Sequence, residues 1–317
     1  MTPSLRPSCP LCSRQWRVRD CWRAFAHTAP SHTPHARAQH TQNPNAVYQG
    51  ESNAACNFVT SPPWESGYYA RLLPQLVSTW RSAFNVSFTA LVVQLAPYSS
   101  TDATPEQRSG DDWPALREAQ TSVLQLEGTG LAYPLDLGDD GKTIWTPPTC
   151  NFHGGIHPRN KTALGLRLAA RLAQLEGVLP AGLLADGPLH TGLSQAQGKV
   201  TIAFAAASAA GLALAPTQDC VSVGKVLPAQ PSACCQSGAG AFGYPFELLL
   251  ADGATYALAA AEVQQDQKAV ILTPLNASLA GPYAGVRYAW QGFPLCVLSN
   301  GQGLPAAPFK AALPAAV

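Results

Sequence analysis

Charge is scarce in this 317-residue chain: 12% of residues are charged, and the formal net charge is +1. A nucleic-acid or acidic-membrane partner therefore finds no electrostatic support along the chain as a whole. Long apolar runs are missing too. Val200 to Pro216 carries no charge, but Thr201, Ser208, Gly211 and several alanines dilute it below what a membrane span needs. A strand, a turn and a second strand are expected there instead. Met1 to Asn45 lacks the apolar stretch of a signal peptide. That segment holds six arginines, one acid and four of the seven histidines, with few aliphatic residues, so residues 1–45 are expected to form a disordered basic leader. Cys9, Cys12, Cys21 and His27 could be drawn as a zinc site, but no second cysteine pair of matched spacing follows. No metal or other cofactor is expected.

Turn formers are plentiful, with 28 prolines and 26 glycines. The nine cysteines are an odd count, so they cannot all pair within the chain. Cys234 and Cys235 are adjacent and cannot easily bond to each other. A bridge from this pair to Cys220 or Cys296 is the plausible alternative. N-glycosylation sequons begin at Asn85, Asn160 and Asn276, which leans the reading towards a secretory route.

From Asn45 onward the periodicity alternates between strand and helix. A short run through Ala46, Val47 and Tyr48 reads as a buried strand ending at Gly50. Tyr68 to Phe84 carries a helical stripe of Leu72, Leu73, Leu76, Val77, Trp80 and Phe84, with Pro74 expected to kink it or mark a late first turn. Phe88 to Leu95 predicts a strand covered on both faces. Trp113 to Leu126 predicts a helix, Leu131 to Leu137 a third strand, and Leu164, Leu168, Leu172 and Leu175 a last helical face. The order is βαβαβα, an incomplete doubly wound parallel sheet of three units over residues 46–188. Beyond Pro188 short alternating runs such as Val200 to Phe204, Phe246 to Leu250 and Val286 to Trp290 predict a small antiparallel β domain over 189–317.

Two strings stand where an open α/β sheet keeps its chemistry, at the carboxyl ends of its strands. They are Tyr48-Gln49-Gly50-Glu51-Ser52-Asn53 and Gly155-Ile156-His157-Pro158-Arg159-Asn160-Lys161. The first offers amide donors on a tight turn, and the second offers an imidazole that titrates near neutral pH. Tyr48 to Ala54 resembles the Tyr-Gln-Gly-Glu-Ser-Asn block of sialate O-acetylesterases, with Val47 in place of that family's tryptophan. The likeness continues through Trp80-Arg81, Val93 to Tyr98, Leu116 to Gln120, Asp136 to Asp139 and Ile156 to Lys161. It ends with Val286 to Trp290 and Leu304 to Phe309, so it covers about residues 46–310.

That resemblance implies an SGNH-type carbohydrate esterase, which removes acetyl groups from sugar hydroxyls by a Ser-His mechanism. It implies His157 as the general base and Gln49, Gly50 and Asn53 as the oxyanion turn, with Glu51 holding that loop. Arg159 and Lys161 become candidates for facing an acidic sugar. The partner is then a glycan or small sugar bearing O-acetyl groups, and the family's location is secreted or lysosomal. Two departures follow. Gly154 stands three residues before His157, where many SGNH enzymes carry an aspartate. The family's Gly-Gln-Ser-Asn nucleophile block has no match between Met1 and Asn45. The alternatives are a catalytically inactive sugar-binding remnant or a truncated gene model.

Overall fold

The computed structural model describes residues 46–48, 66–98, 112–138, 160–217, 235, 243–264, 266 and 268–314. Its first part is a three-stranded parallel sheet, with β1 (Ala46–Tyr48) beside β2 (Ala90–Val93) and β2 beside β3 (Thr129–Ala132). Helices cover both faces. α1 (Ser66–Phe84) and α2 (Asp112–Gln120) lie on one side, where Tyr69, Leu73, Val77, Trp113 and Leu116 pack on Ala90, Val92 and Leu131. α3 (Lys161–Leu175) lies on the other, with Leu164 against Val93 and Ala132. Every residue of β2 and β3 is buried, as strands covered on both faces must be.

Four local expectations are narrowed or corrected. α1 continues through Pro74, which is half-buried inside the helix rather than in a late first turn. Phe84, expected on the buried stripe, is exposed at the helix end. The third strand runs over Thr129–Ala132 and not Leu131 to Leu137, because Pro134 has no N–H for a ladder and accepts from Leu137 in a turn. The helix expected over Trp113 to Leu126 is α-helical only as far as Gln120, then tightens to 3₁₀ over Thr121–Gln125. Side chains explain the change: Gln94 Nε2 takes the Arg117 carbonyl and Thr121 Oγ1 takes that of Glu118.

The antiparallel part is larger than the small domain expected. β4 (His190–Ala196), β5 (Lys199–Phe204), β7 (Phe246–Leu250), β8 (Tyr256–Val263), β9 (Ala269–Pro274), β10 (Tyr283–Tyr288) and β12 (Phe309–Ala312) form one sheet, ordered β12-β10-β7-β8-β9-β5-β4. A short α4 (Ala206–Ala209) precedes β6 (Ala213–Pro216), which pairs with β11 (Cys296–Ser299). The strand, turn and strand expected over Val200 to Pro216 therefore form, with one added helical turn.

The seven-stranded sheet curls until its edges meet through side chains. Gln195 on β4 accepts from Tyr283 N at 3.0 Å and donates to Tyr283 O at 3.2 Å. His190 on β4 stacks on Phe309 of β12, with ring centroids 4.1 Å apart. Closure of this kind removes exposed strand edges. Inside lies the largest apolar cluster, with Val200, Ile202, Phe246, Leu248, Val270, Leu272 and Tyr288 among its members. Cys235 bonds to Cys296, one of the two partners its sequence position allowed. No helix among the described residues is long and apolar enough to cross a membrane.

Candidate active site

β1, β2 and β3 run parallel, so their carboxyl ends lie on one edge of the sheet. β1 stops at Tyr48, immediately before Gln49. α3 runs back against the strands. Its Arg171 lies over Gly130 and Leu131 and its Leu164 packs by Val93, Ala132 and Leu137, which brings the helix start to that same edge. Gly130 is required here, since a Cβ would sit 2.7 Å from Arg171 Cγ. Asn160 caps the helix, its side chain accepting from Ala163 N at 3.1 Å.

Of the seven residues singled out from sequence, Lys161 falls in the described part. It is exposed at the first position of α3. Gln49, Gly50, Glu51, Asn53, His157 and Arg159 lie outside the described residues, as do residues 1–45.

The structure adds a buried polar framework beneath this edge. Arg117 is fully buried and makes three charge-assisted hydrogen bonds to backbone: Nε to Leu95 O at 2.9 Å, Nη1 to Gln291 O at 2.8 Å and Nη2 to Gly292 O at 3.0 Å. Burial pushes its guanidinium down to about 9, so it remains a cation at neutral pH. Gln120, also fully buried, accepts from Leu95 N at 2.8 Å and donates to Val93 O at 3.2 Å. Trp113 Nε1 donates to Ala96 O at 2.7 Å. Beyond Gln94, whose N–H still reaches Ala132 O at 3.0 Å, the chain leaving β2 no longer pairs with β3, and α2 side chains satisfy its backbone instead.

The sequence carried a signal for this framework. Trp113, Leu116, Arg117 and Gln120 fall at i, i+3, i+4 and i+7, so an arginine and a glutamine share the apolar face of α2. Polar residues on such a face must satisfy backbone groups or a ligand.

A second anchor holds α3. Arg167 grips Asp136 through both guanidinium nitrogens, at 2.6 and 2.7 Å, and also donates to Tyr133 O and Gly303 O. Arg171 forks onto Asp186 and donates to Leu131 O at 3.1 Å. These contacts fix the helix height relative to β3. Burial raises the Tyr133 phenol to about 12, with Arg171 opposing and Asp186 adding, so it stays protonated at neutral pH.

The donors of these described side chains go to backbone carbonyls and to the carboxylates of Asp136 and Asp186, which suits them to hold loops and helices rather than to transfer protons. No group of three or more histidine, cysteine or acidic side chains that could hold a metal occurs among the described residues.

No family model matches the chain, and no curated protein matches it. Among solved structures, a carbohydrate acetylesterase from Xanthomonas citri is similar, with a TM-score of 0.57 and 23% identity over 84% of this chain. The chain spans about half of that structure, 49% of its length. The likeness establishes a shared fold.

Proposed function

We propose that this chain is a carbohydrate O-acetylesterase of the sialate-esterase type, with an SGNH-like site at the carboxyl edge of the parallel sheet. By the Ser-His mechanism His157 is the general base that takes the proton of a serine hydroxyl, whose Gly-Gln-Ser-Asn block these 317 residues do not contain, and then the general acid towards the departing sugar alkoxide. Gln49, Gly50 and Asn53 supply the oxyanion donors and Glu51 holds their turn. The α/β part, residues 46–188, bears the site, and residues 189–317 form the domain that braces it. The observation that carries this reading is convergence. β1 ends at Tyr48 and α3 begins at Lys161 on the same edge of the sheet, and each adjoins one of the two strings. The fold shared with a carbohydrate acetylesterase supports it.

Lys161 supports an acidic sugar as ligand. An exposed cation in the first turn of a helix is disfavoured by the helix dipole by about 0.3–1 kcal/mol, which fits a residue placed for an anion rather than for stability. The Cys235–Cys296 bond supports a secreted or lysosomal glycoprotein, because such bonds persist in oxidising compartments.

A second reading is a sugar-binding protein without turnover. It is favoured by one observation: the 317 residues contain no Gly-Gln-Ser-Asn block. Loss of a triad serine costs roughly a million-fold in turnover. Acetate release from O-acetylated sugars, measured on the full chain and on His157→Ala beside serine labelling by a fluorophosphonate, separates the readings. Labelling with release that His157→Ala abolishes supports the esterase. Sugar binding without labelling supports the second reading, and absence of both binding and release overturns the site.

A further inference from the structure

β9 and β10 are joined across a 3₁₀ turn at Ala277–Leu279, and Asn276 stands exposed at its start. Asn276-Ala277-Ser278 is one of the three sequons. The Asn276 Oδ1 accepts two hydrogen bonds, from Ser278 N at 3.1 Å and from Ser278 Oγ at 2.7 Å. Its Nδ2 donates to none of the described residues. We propose that Asn276 is an acceptor for an N-linked glycan. The inference rests on the secretory route read above and not on the esterase chemistry.

The chemistry favours this side chain. An amide nitrogen is a poor nucleophile because its lone pair is delocalised onto the carbonyl. Two donors on Oδ1 stabilise the charge that collects there and assist loss of the Nδ2 proton. In the transfer, Nδ2 forms a bond to the anomeric carbon of an oligosaccharide carried on a lipid diphosphate. The bond from that carbon to the phosphate oxygen breaks, the diphosphate leaves, and the Nδ2 proton passes to a base of the transferase.

Position favours it as well. β10 runs from Tyr283 to Tyr288 and then reaches Gln291 and Gly292, where Arg117 docks. Asn276 lies off the opposite end of the strand, so a bulky glycan there leaves the candidate site open. It also stands beside Leu275, whose apolar side chain is 45% exposed and would be shielded. The other sequons differ in place: Asn160 also caps its helix through Oδ1 but stands next to the candidate site, and Asn85 sits at a left-handed φ of 51° at the end of α1.

The test uses the full chain behind a cleavable secretion leader, translated into glycosylation-competent microsomes. Protease-protected product is digested and read by mass spectrometry before and after peptide N-glycosidase, which leaves aspartate where a glycosylated asparagine stood. The expected result is occupancy at 276, lost in Asn276→Gln and in Ser278→Ala and kept in Ser278→Thr. A protected chain with residue 276 unmodified overturns the proposal, and so does a chain that the leader fails to import. Binding of an acetylated sugar is scored on the same material, so failure of the esterase reading stays visible as a separate result.

Discussion

The two halves of this molecule are built on opposite economies. The antiparallel half is long-stranded and closes on itself, with strands of four to eight residues around one apolar cluster, while the parallel half has three strands of three or four residues. Short strands expose backbone soon after they end, and here that backbone is satisfied by Arg117, Gln120 and Trp113. Arg117 continues into the other half through the carbonyls of Gln291 and Gly292. Leu135, from the turn after β3, is buried in the β cluster. The lesson is one of dependence: the half that bears the candidate site is held in shape by the half that does not.

Breaking that dependence should give the largest effect. Arg117→Ala takes the guanidinium from the Leu95 and Gln291 carbonyls, leaves Gly292 O with Tyr98 N alone and opens a cavity, so a loss of about 4–5 kcal/mol is expected. Denaturant unfolding followed separately by the tryptophans of the parallel half and by far-ultraviolet strand signal should then show two midpoints where the parent shows one.

Reduction of the Cys235–Cys296 bond, or Cys235→Ser, probes the β half alone. The bond closes a 61-residue separation, so loss of about 4 kcal/mol is expected from chain entropy. Both signals should shift together in this case, because the supporting half weakens under the supported one.

Asp136→Asn acts on the parallel half without touching the Arg117 contact. It weakens a half-buried bidentate pair, and about 1–2 kcal/mol is expected, measured as a lower thermal midpoint. If α3 positions His157, sugar binding should fall more than this stability loss explains.

The smallest effect concerns the barrel seam. Burial lowers the His190 pKa below its usual 6.5, so the unfolded chain binds that proton more readily. Stability should rise with pH through the window just below 6.5 and level off above it, by less than 1 kcal/mol because the ring is partly exposed. His190→Phe should flatten that slope in a thermal-melt pH series while keeping the stack on Phe309.

Much of this architecture was legible in the residues. Apolar periodicity located β2, α1, α3 and the alternating strand Val200 to Phe204, because local pattern decides which face is buried. What periodicity could not convey was partnership over distance. Nothing near Arg117 in sequence points to Gln291, 174 positions away, and nothing near Gln195 points to Tyr283. The end of β3 was misplaced because Leu135 and Leu137 are buried, as strand residues would be, yet Leu135 serves the other half's core. The candidate site was read from motif resemblance. The structure contributes two chain positions, Tyr48 and Asn160, that lie at one edge of the parallel sheet.

The most direct measurement is saturation-transfer NMR of an O-acetylated acidic sugar on the full chain, compared with His157→Ala and Asn53→Ala. Strong transfer to the acetyl methyl, lost in both variants while their thermal midpoints stay unchanged, is the expected result. Equal transfer in all three proteins would contradict a shared site built from the turn after β1 and the segment before α3.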